Sequence, residues 1–316
     1  GEVRTVNVES GVFGIIQDIN PKDDPLIIKA LTTPGEVILS NILVKDGVPY
    51  WTGDGKEHPD SGVNFTGNWF RGKKDKSGAD IPPSHKNARY TIRLSALPNL
   101  DPRADDPEGV PVGGIIYGGR DSDTCVPVQE SFNWSHGVVT IGASLESETT
   151  AATLGKEGVR AFQPMSNLDF LSIPIGVYIR QHLEFTLGLL KMPKIFGVNY
   201  FLKGKDGKFL NDKKDKYVWL KWMERRVHGE VDAITAPTGL LPYYQDLKEL
   251  FKQVLDKEYT PEQYEIQFTT RIPENLRKLE RIEAIYRKDV NTPKAVFDVM
   301  EEQRQRLQAA KAQFGE

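Results

Sequence analysis

Two glycines and one arginine, Gly118-Gly119-Arg120, close an apolar run formed by Val112 and Ile115–Tyr117. The run has the length of a buried strand, so the arginine falls where a strand ends. Glycines there let backbone approach a ligand closely, and the strand's end aims the guanidinium outward. A planar guanidinium fork suits a phosphate or a carboxylate. Further on, the mostly small residues from Ala143 to Thr153 offer little to anchor a core, and they read as a mobile cover beside a site. Taken alone, the stretch 109–158 also reads as a strand, a tight turn and an ordinary surface loop.

Other chemistries lack their residues. A P-loop requires G-x-x-x-x-G-K-[ST], because successive amides and a lysine wrap the phosphates. Here Gly155-Lys156 is followed by Glu157, and Thr150 stands where the first glycine belongs. His58, His85, His136, His182 and His228 are scattered, H-E-x-x-H is absent, and no metal site assembles from spacing. Cys125 is the single cysteine. It excludes an internal disulfide, fits a reducing compartment, and reads as a small packed residue rather than a nucleophile.

Several elements position these candidates. Residues 1–60 alternate short β-rich runs (Val37-Ile38-Leu39, Ile42-Leu43-Val44) with Pro and Gly turns, which predicts antiparallel strands. Residues 67–86, with a lysine cluster at 73–76 and Pro82-Pro83, read as a solvated loop. Asn87-Ala88-Arg89 leads into the β-type run Tyr90–Leu94, where a structural salt bridge is the default role for the arginine. The spacing predicts a helix over 174–191, ended by Lys191-Met192-Pro193, and then a buried strand over 194–201. Asp206-Gly207 marks a hairpin turn, with Tyr200-Phe201 on one arm and Phe209 on the other. Core packing explains those aromatics as simply as a ligand does. From 240 onward, apolar residues at three- and four-residue spacing predict helices, and Thr260-Pro261-Glu262-Gln263 predicts a capping box.

A hydrophobic share of 39% with 27% charged residues is ordinary for a globular protein, and 316 residues allow a large core. A net charge of −3 argues against coating nucleic acid, and no apolar stretch approaches membrane-spanning length. The chain opens at Gly1 in what reads as the middle of a fold, so a fragment is expected.

The order GVPVGGIIYGGR (Gly109–Arg120), a V-P-V strand (Val126–Val128), FNWSHGV (Phe132–Val138) and SETTAA (Ser147–Ala152) resembles the C-terminal half of the GTP-dependent phosphoenolpyruvate carboxykinases. The resemblance implies an α/β fold: a mixed β-sheet nucleotide-binding lobe with a helical C-terminal tail (240–316). It implies phosphate contact and catalysis by Arg120. Asn87 and Arg89, matching an N-x-R motif, would hold the substrate's carboxylate and phosphoryl groups, with Arg89 also catalytic. Tyr200, Phe201 and Phe209 match an aromatic clamp for the purine, with tyrosine in place of tryptophan. The family's W-P-G-F-G-E-N run, which supplies a further aromatic and an asparagine reading the base edge, is replaced by Asn211–Lys216.

A lid over 145–158, including Glu146, Ser147, Glu148, Thr149 and Thr150, is implied in the same way, Glu146 standing where the family commonly has arginine. Implied as substrates are GTP and oxaloacetate, giving GDP, CO2 and phosphoenolpyruvate. The Mn2+ or Mg2+ ligands and the P-loop would lie in an N-terminal half that precedes this chain and partners it. A monomeric cytoplasmic enzyme is expected, and the fragment alone is expected to be inactive. A second reading is a non-catalytic nucleotide-binding module that acts with a partner chain.

Overall fold

Proline and glycine break the first hundred residues into runs too short for anything but small sheets. The computed structural model describes residues 1–150 and 158–314. It divides into two units, residues 4–110 and residues 1–3 with 111–316. The first carries β1 (Arg4–Thr5), β2 (Gly11–Ile15), α1 (Pro25–Thr32), β3 (Val37–Ser40), β4 (Leu43–Lys45), β5 (Val48–Tyr50), β6 (Ser61–Asn64), β7 (Gly67–Phe70) and β8 (Arg89–Arg93). Two antiparallel sheets result, ordered β2-β8-β3 and β5-β4-β6-β7. Ile16, Ile42, Trp51, Tyr90 and Ile92 form their core.

Two expectations for this unit need correction. Helix α1 interrupts the β-rich stretch; Pro25 opens it, and its apolar side meets the same core. The supposed loop 67–86 begins as β7, whose Trp69 is buried and donates its indole N–H to the Ile81 carbonyl at 2.8 Å. Lysines around it masked an inward-facing tryptophan.

After β9 (Val110–Pro111), the larger unit carries β10 (Gly114–Gly118), β11 (Val128–Glu130), α2 (Trp134–His136) with a wide π-type turn over 137–143, β12 (Glu146–Glu148) and β13 (Arg160–Phe162). Then follow α3 (Ile175–Glu184), β14 (Lys194–Val198), α4 (Asp215–His228), β15 (Ile234–Ala236) and β16 (Gly239–Leu241). Helices α5 (Tyr244–Leu255), α6 (Pro261–Phe268), α7 (Ile272–Tyr286) and α8 (Lys294–Phe314) complete it.

Five strands make one mixed sheet, β10-β14-β11-β16-β15, in which β10 and β14 are parallel and the other pairs antiparallel. Because side chains alternate across a strand, β14 sends Ile195 to one face and Phe196 to the other. Ile195 joins Trp134, Val138, Ile282, Tyr286 and Met300; Phe196 joins Trp219, Trp222, Leu247 and Phe251. Helices therefore cover both faces, the α/β arrangement expected. Thr260 and Gln263 form the capping box anticipated for α6, each side chain bonding the other's backbone.

The helix expected over 174–191 stops at Glu184. Turns follow, Gly188 sits at φ +82°, and Leu187 and Leu190 are 77% and 91% exposed. Those leucines pack on nothing within the described residues, so helical spacing alone did not make a helix. Leu241 belongs to β16 rather than to the helix beginning at Tyr244.

Candidate functional site

Parallel pairing of β10 with β14 places Gly118 opposite Val198. Arg120 and the pair Tyr200-Phe201 therefore leave neighbouring strands at the same, carboxyl, end of the sheet. Open α/β sheets bind ligands in the crevice at that end. A cavity of about 490 Å³ opens there, lined by Arg120, Ser147, Thr149, Thr150, Tyr200 and Phe201 among others. Gly119 is needed for a closer reason than ligand approach: a Cβ on it would stand 2.5 Å from the Glu146 carbonyl oxygen. The backbone admitted by the glycine is the β12 strand.

That strand holds Arg120 in place. The Arg120 amide donates to Ser147 Oγ at 3.2 Å, the Glu148 amide donates to the Arg120 carbonyl at 2.8 Å, and Arg120 Nε donates to the Glu148 carbonyl. The rest of the guanidinium makes no ion pair among the described residues and lines the cavity.

The segment expected to be a mobile cover from Leu145 is, at its start, a buried strand. Leu145, Glu146 and Ser147 are all at least nine-tenths buried, and Glu146–Glu148 pairs antiparallel with Arg160–Phe162. Thr149 N–H donates to the Val159 carbonyl and Gly158 N–H to the Thr149 carbonyl, both at 2.9 Å. Thr149 and Thr150 line the cavity; 151–157 lie outside the described residues.

Phe162 meets the buried Tyr286 edge-on, centroids 5.6 Å apart, and charge buries the rest of this hairpin. The Arg160 guanidinium lies 2.5 Å from Asp123, 3.3 Å from Glu146, 3.5 Å from Glu148 and 3.7 Å from Asp121. Burial alone would lower the pKa of Arg160, but Asp121, Asp123 and Glu146 raise it well above its ordinary value. Glu146 also accepts from Arg281 at 3.2 and 2.8 Å. Asp121 would be raised by burial, yet Lys278 at 3.6 Å, hydrogen bonds from Thr124 and the charge of Arg160 hold it well below the carboxylate range.

The aromatic candidates are partly gathered. Tyr200 and Phe201 line the cavity, and burial raises the Tyr200 phenol. Phe209 does not line it. Its ring meets Phe201 edge-on, centroids 6.0 Å apart, on the far arm of the turn whose Gly207 sits at φ +76°. Lys203 Nζ lies 5.2 Å from the Phe209 centroid.

Asn87 and Arg89 belong to the other unit. Arg89 donates from Nε to Asn87 Oδ1 at 2.8 Å, and its guanidinium lies 5.2 Å from the Phe13 centroid. Among the described residues it makes no ion pair, so the salt bridge expected by default is absent.

A family model described as the phosphoenolpyruvate carboxykinase C-terminal P-loop domain matches residues 1–306. The chain belongs to this family. It is 62% identical to the phosphoenolpyruvate carboxykinase (GTP) of Pyrococcus abyssi over 317 aligned positions, covering 100% of this chain and 51% of that protein. The enzyme of the same name from Sulfurisphaera tokodaii is 50% identical over 97% of this chain and 50% of its own length. That from Chlamydia caviae is 37% identical over 77% of this chain and 40% of its own length. The chain thus spans about half the length of the curated relatives it matches.

Arg160 and Arg281 supply the cations that pair with Glu146. Sequence reading missed Arg160, because its partners lie up to 39 residues before it and no local pattern joins them. It also missed Gln163, Ser166 and Asp169, which line the cavity. Met165 and Ser166 both take left-handed backbone, φ +53° and +56°, a conformation costly for non-glycine residues. Ser166 Oγ donates to the Gly118 carbonyl at 3.2 Å, which ties that turn to the end of β10.

Burial, with Asp121 beside it, pushes the Cys125 thiol up to about 11, so it stays protonated as a packed residue. Among the described residues, no group of three or more His, Cys, Asp or Glu could hold a metal ion, and no helix is long and apolar enough to cross a membrane.

Proposed function

We propose that the protein acts as a GTP-dependent phosphoenolpyruvate carboxykinase, converting oxaloacetate and GTP to phosphoenolpyruvate, CO2 and GDP. The observation that carries this reading is the departure of Arg120 and Tyr200-Phe201 from adjacent parallel strands into one cavity. In that arrangement Tyr200 and Phe201 offer ring surface to the purine, while Arg120, held through Nε, turns its remaining N–H donors toward the phosphoryl group in transfer. Asn87 fixes the Arg89 guanidinium, which is free of carboxylates, and Arg89 takes the substrate's carboxylate or phosphoryl oxygens.

A divalent ion supplies Lewis-acid stabilisation of the enolate in such chemistry. Among the described residues no group of three or more His, Cys, Asp or Glu fits a metal, and in this reading its ligands and the P-loop come from outside this chain. The strand pair β12–β13 presents Ser147, Thr149, Thr150 and Ala161 to the cavity and acts as its cover, shielding the enolate from water. Phe209 buttresses Phe201 rather than contacting the base. The reading also places the protein in the cytoplasm as a monomer.

The test is phosphoenolpyruvate formation by the complete protein with oxaloacetate, Mn2+ and each of GTP, ITP and ATP. Turnover with GTP is expected; its absence with all three refutes the reading.

A further inference from the structure

A second groove, of about 620 Å³, lies between the turn 203–209 and the corner joining α6 to α7. Three cations line it: Lys203, Lys205 and Arg271. None of them makes an ion pair among the described residues. Elsewhere in this unit Arg160, Arg226, Lys257, Lys278 and Arg304 each meet a carboxylate within 4 Å, whereas Arg120 and Arg225 do not.

Arg271 is the least accounted for. Its Nη1 is fully buried and has no hydrogen-bond partner. Burial disfavours the charge on this group, and the carboxylates of Glu274, Asp123 and Asp121 offset that only at a distance. Nη1 lies too deep for a groove ligand to touch; the other two nitrogens, Nε and Nη2, have no partner either among the described residues and are the ones an incoming anion would meet. Two carboxylates share the rim. Asp123 is already spoken for by Arg160 at 2.5 Å, which leaves Glu265 alone against three cations. Ser122 on the same wall already donates its hydroxyl to Glu148, so the cations alone face the groove's anion.

We propose that this groove is an anion site for a phosphate group, separate from the Arg120 cavity, with Arg271 as its principal contact and Lys203 and Lys205 at its mouth. The planar fork of Arg271 suits two phosphate oxygens, and the two ammonium groups supply charge without fixed geometry. Because Lys203 also leans on Phe209, and Phe209 on Phe201, an anion held here bears on the aromatic wall of the first cavity.

Equilibrium dialysis of the complete protein against labelled inorganic phosphate tests this, in an Arg120→Gln background with the nucleotide site, P-loop included, filled by saturating GDP. One saturable site is expected to remain. Arg271→Gln added to that background should raise its Kd about tenfold or more, as loss of a charge-assisted hydrogen bond does. Lys205→Gln, at an exposed turn where it cannot disturb the fold, should raise it about threefold. Absence of any site in the Arg120→Gln protein, or a Kd unmoved by both further substitutions, overturns the proposal. Glycerol 3-phosphate as competitor separates the sources: displacement assigns the groove to phosphomonoesters, and failure to displace assigns it to the free ion.

Discussion

Replacing Arg160 by glutamine removes the single side chain that four carboxylates share. Losing one partner of a buried ion pair typically costs about 3–5 kcal/mol. Here the loss is cushioned: Glu146 keeps Arg281, Asp121 keeps Lys278, and Asp123, 53% exposed, turns to water. Glu148, with a side chain only 16% exposed, keeps the hydrogen bonds from Ser122 but no cation. About 2–3 kcal/mol should therefore be lost, between the cost of a broken buried pair and that of a surface pair.

A domain of this size loses about 2–4 °C of Tm per kcal/mol, so calorimetry should show a fall of about 4–12 °C. Arg160→Lys, which keeps the charge but reaches fewer oxygens, should recover about half of it. The damage should also be local. Hydrogen exchange at the Glu148 amide, which donates to the Arg120 carbonyl, should quicken more than exchange at the amides of β14. A Tm within about 2 °C of the parent, or glutamine and lysine variants that melt together, would refute the account of the hairpin as a charge-anchored element.

In the complete enzyme Arg120→Ala should lower kcat/KM at least about 10²-fold, as loss of a donor aimed at developing charge usually does; near-normal kinetics would make Arg120 structural. Phe201→Ala should weaken GTP, ITP and ATP alike by about 1–3 kcal/mol, and Phe209→Ala by less, since stacking is indifferent to the base edge; competition binding reads both, and an effect on one nucleotide alone contradicts it. His136 is buried, and burial lowers its pKa to about 4 despite a hydrogen bond with Gln303 at 2.9 Å. The folded state therefore binds this proton later than the unfolded chain. Its contribution is complete above about pH 6.5 and is lost as pH falls toward 4, about 3 kcal/mol in all. Urea midpoints between pH 7 and 4.5 should fall accordingly, and His136→Gln should flatten that slope.

Where the signal was local, the sequence could be read. The apolar run before Gly118 became β10, the run after Pro193 became β14, and Asp206-Gly207 became the turn that brings Phe209 to Phe201. The capping box of α6 is a four-residue pattern and was found as one. The hairpin β12–β13 was not legible, because serine, threonine and glutamate suggest solvent. What buries Glu146 is one arginine 14 residues later and another 135 residues later. Helix α1 is eight residues inside a β-rich stretch, too short for its period to show. The overlong α3 was misread for the opposite reason: leucines at 187 and 190 continued the pattern but have nothing to pack against among the described residues.

The parallel pairing of β10 with β14 has a consequence for how this site could change over time. Gly118 faces Val198, so Arg120 and Tyr200 each sit two residues beyond the same rung of the ladder. Adjacent strands are about 4.8 Å apart and each residue advances about 3.3 Å, so the sheet works as a ruler between the cationic and aromatic ends of the cavity. Inserting or deleting one residue within either strand would slide one end by that step and turn its side chains to the opposite face. Length can vary more freely past the rung, in the turns beyond Phe201. Tolerance to insertions should accordingly be lowest at 114–118 and 194–198, although of these residues only Gly118 and Val198 line the cavity.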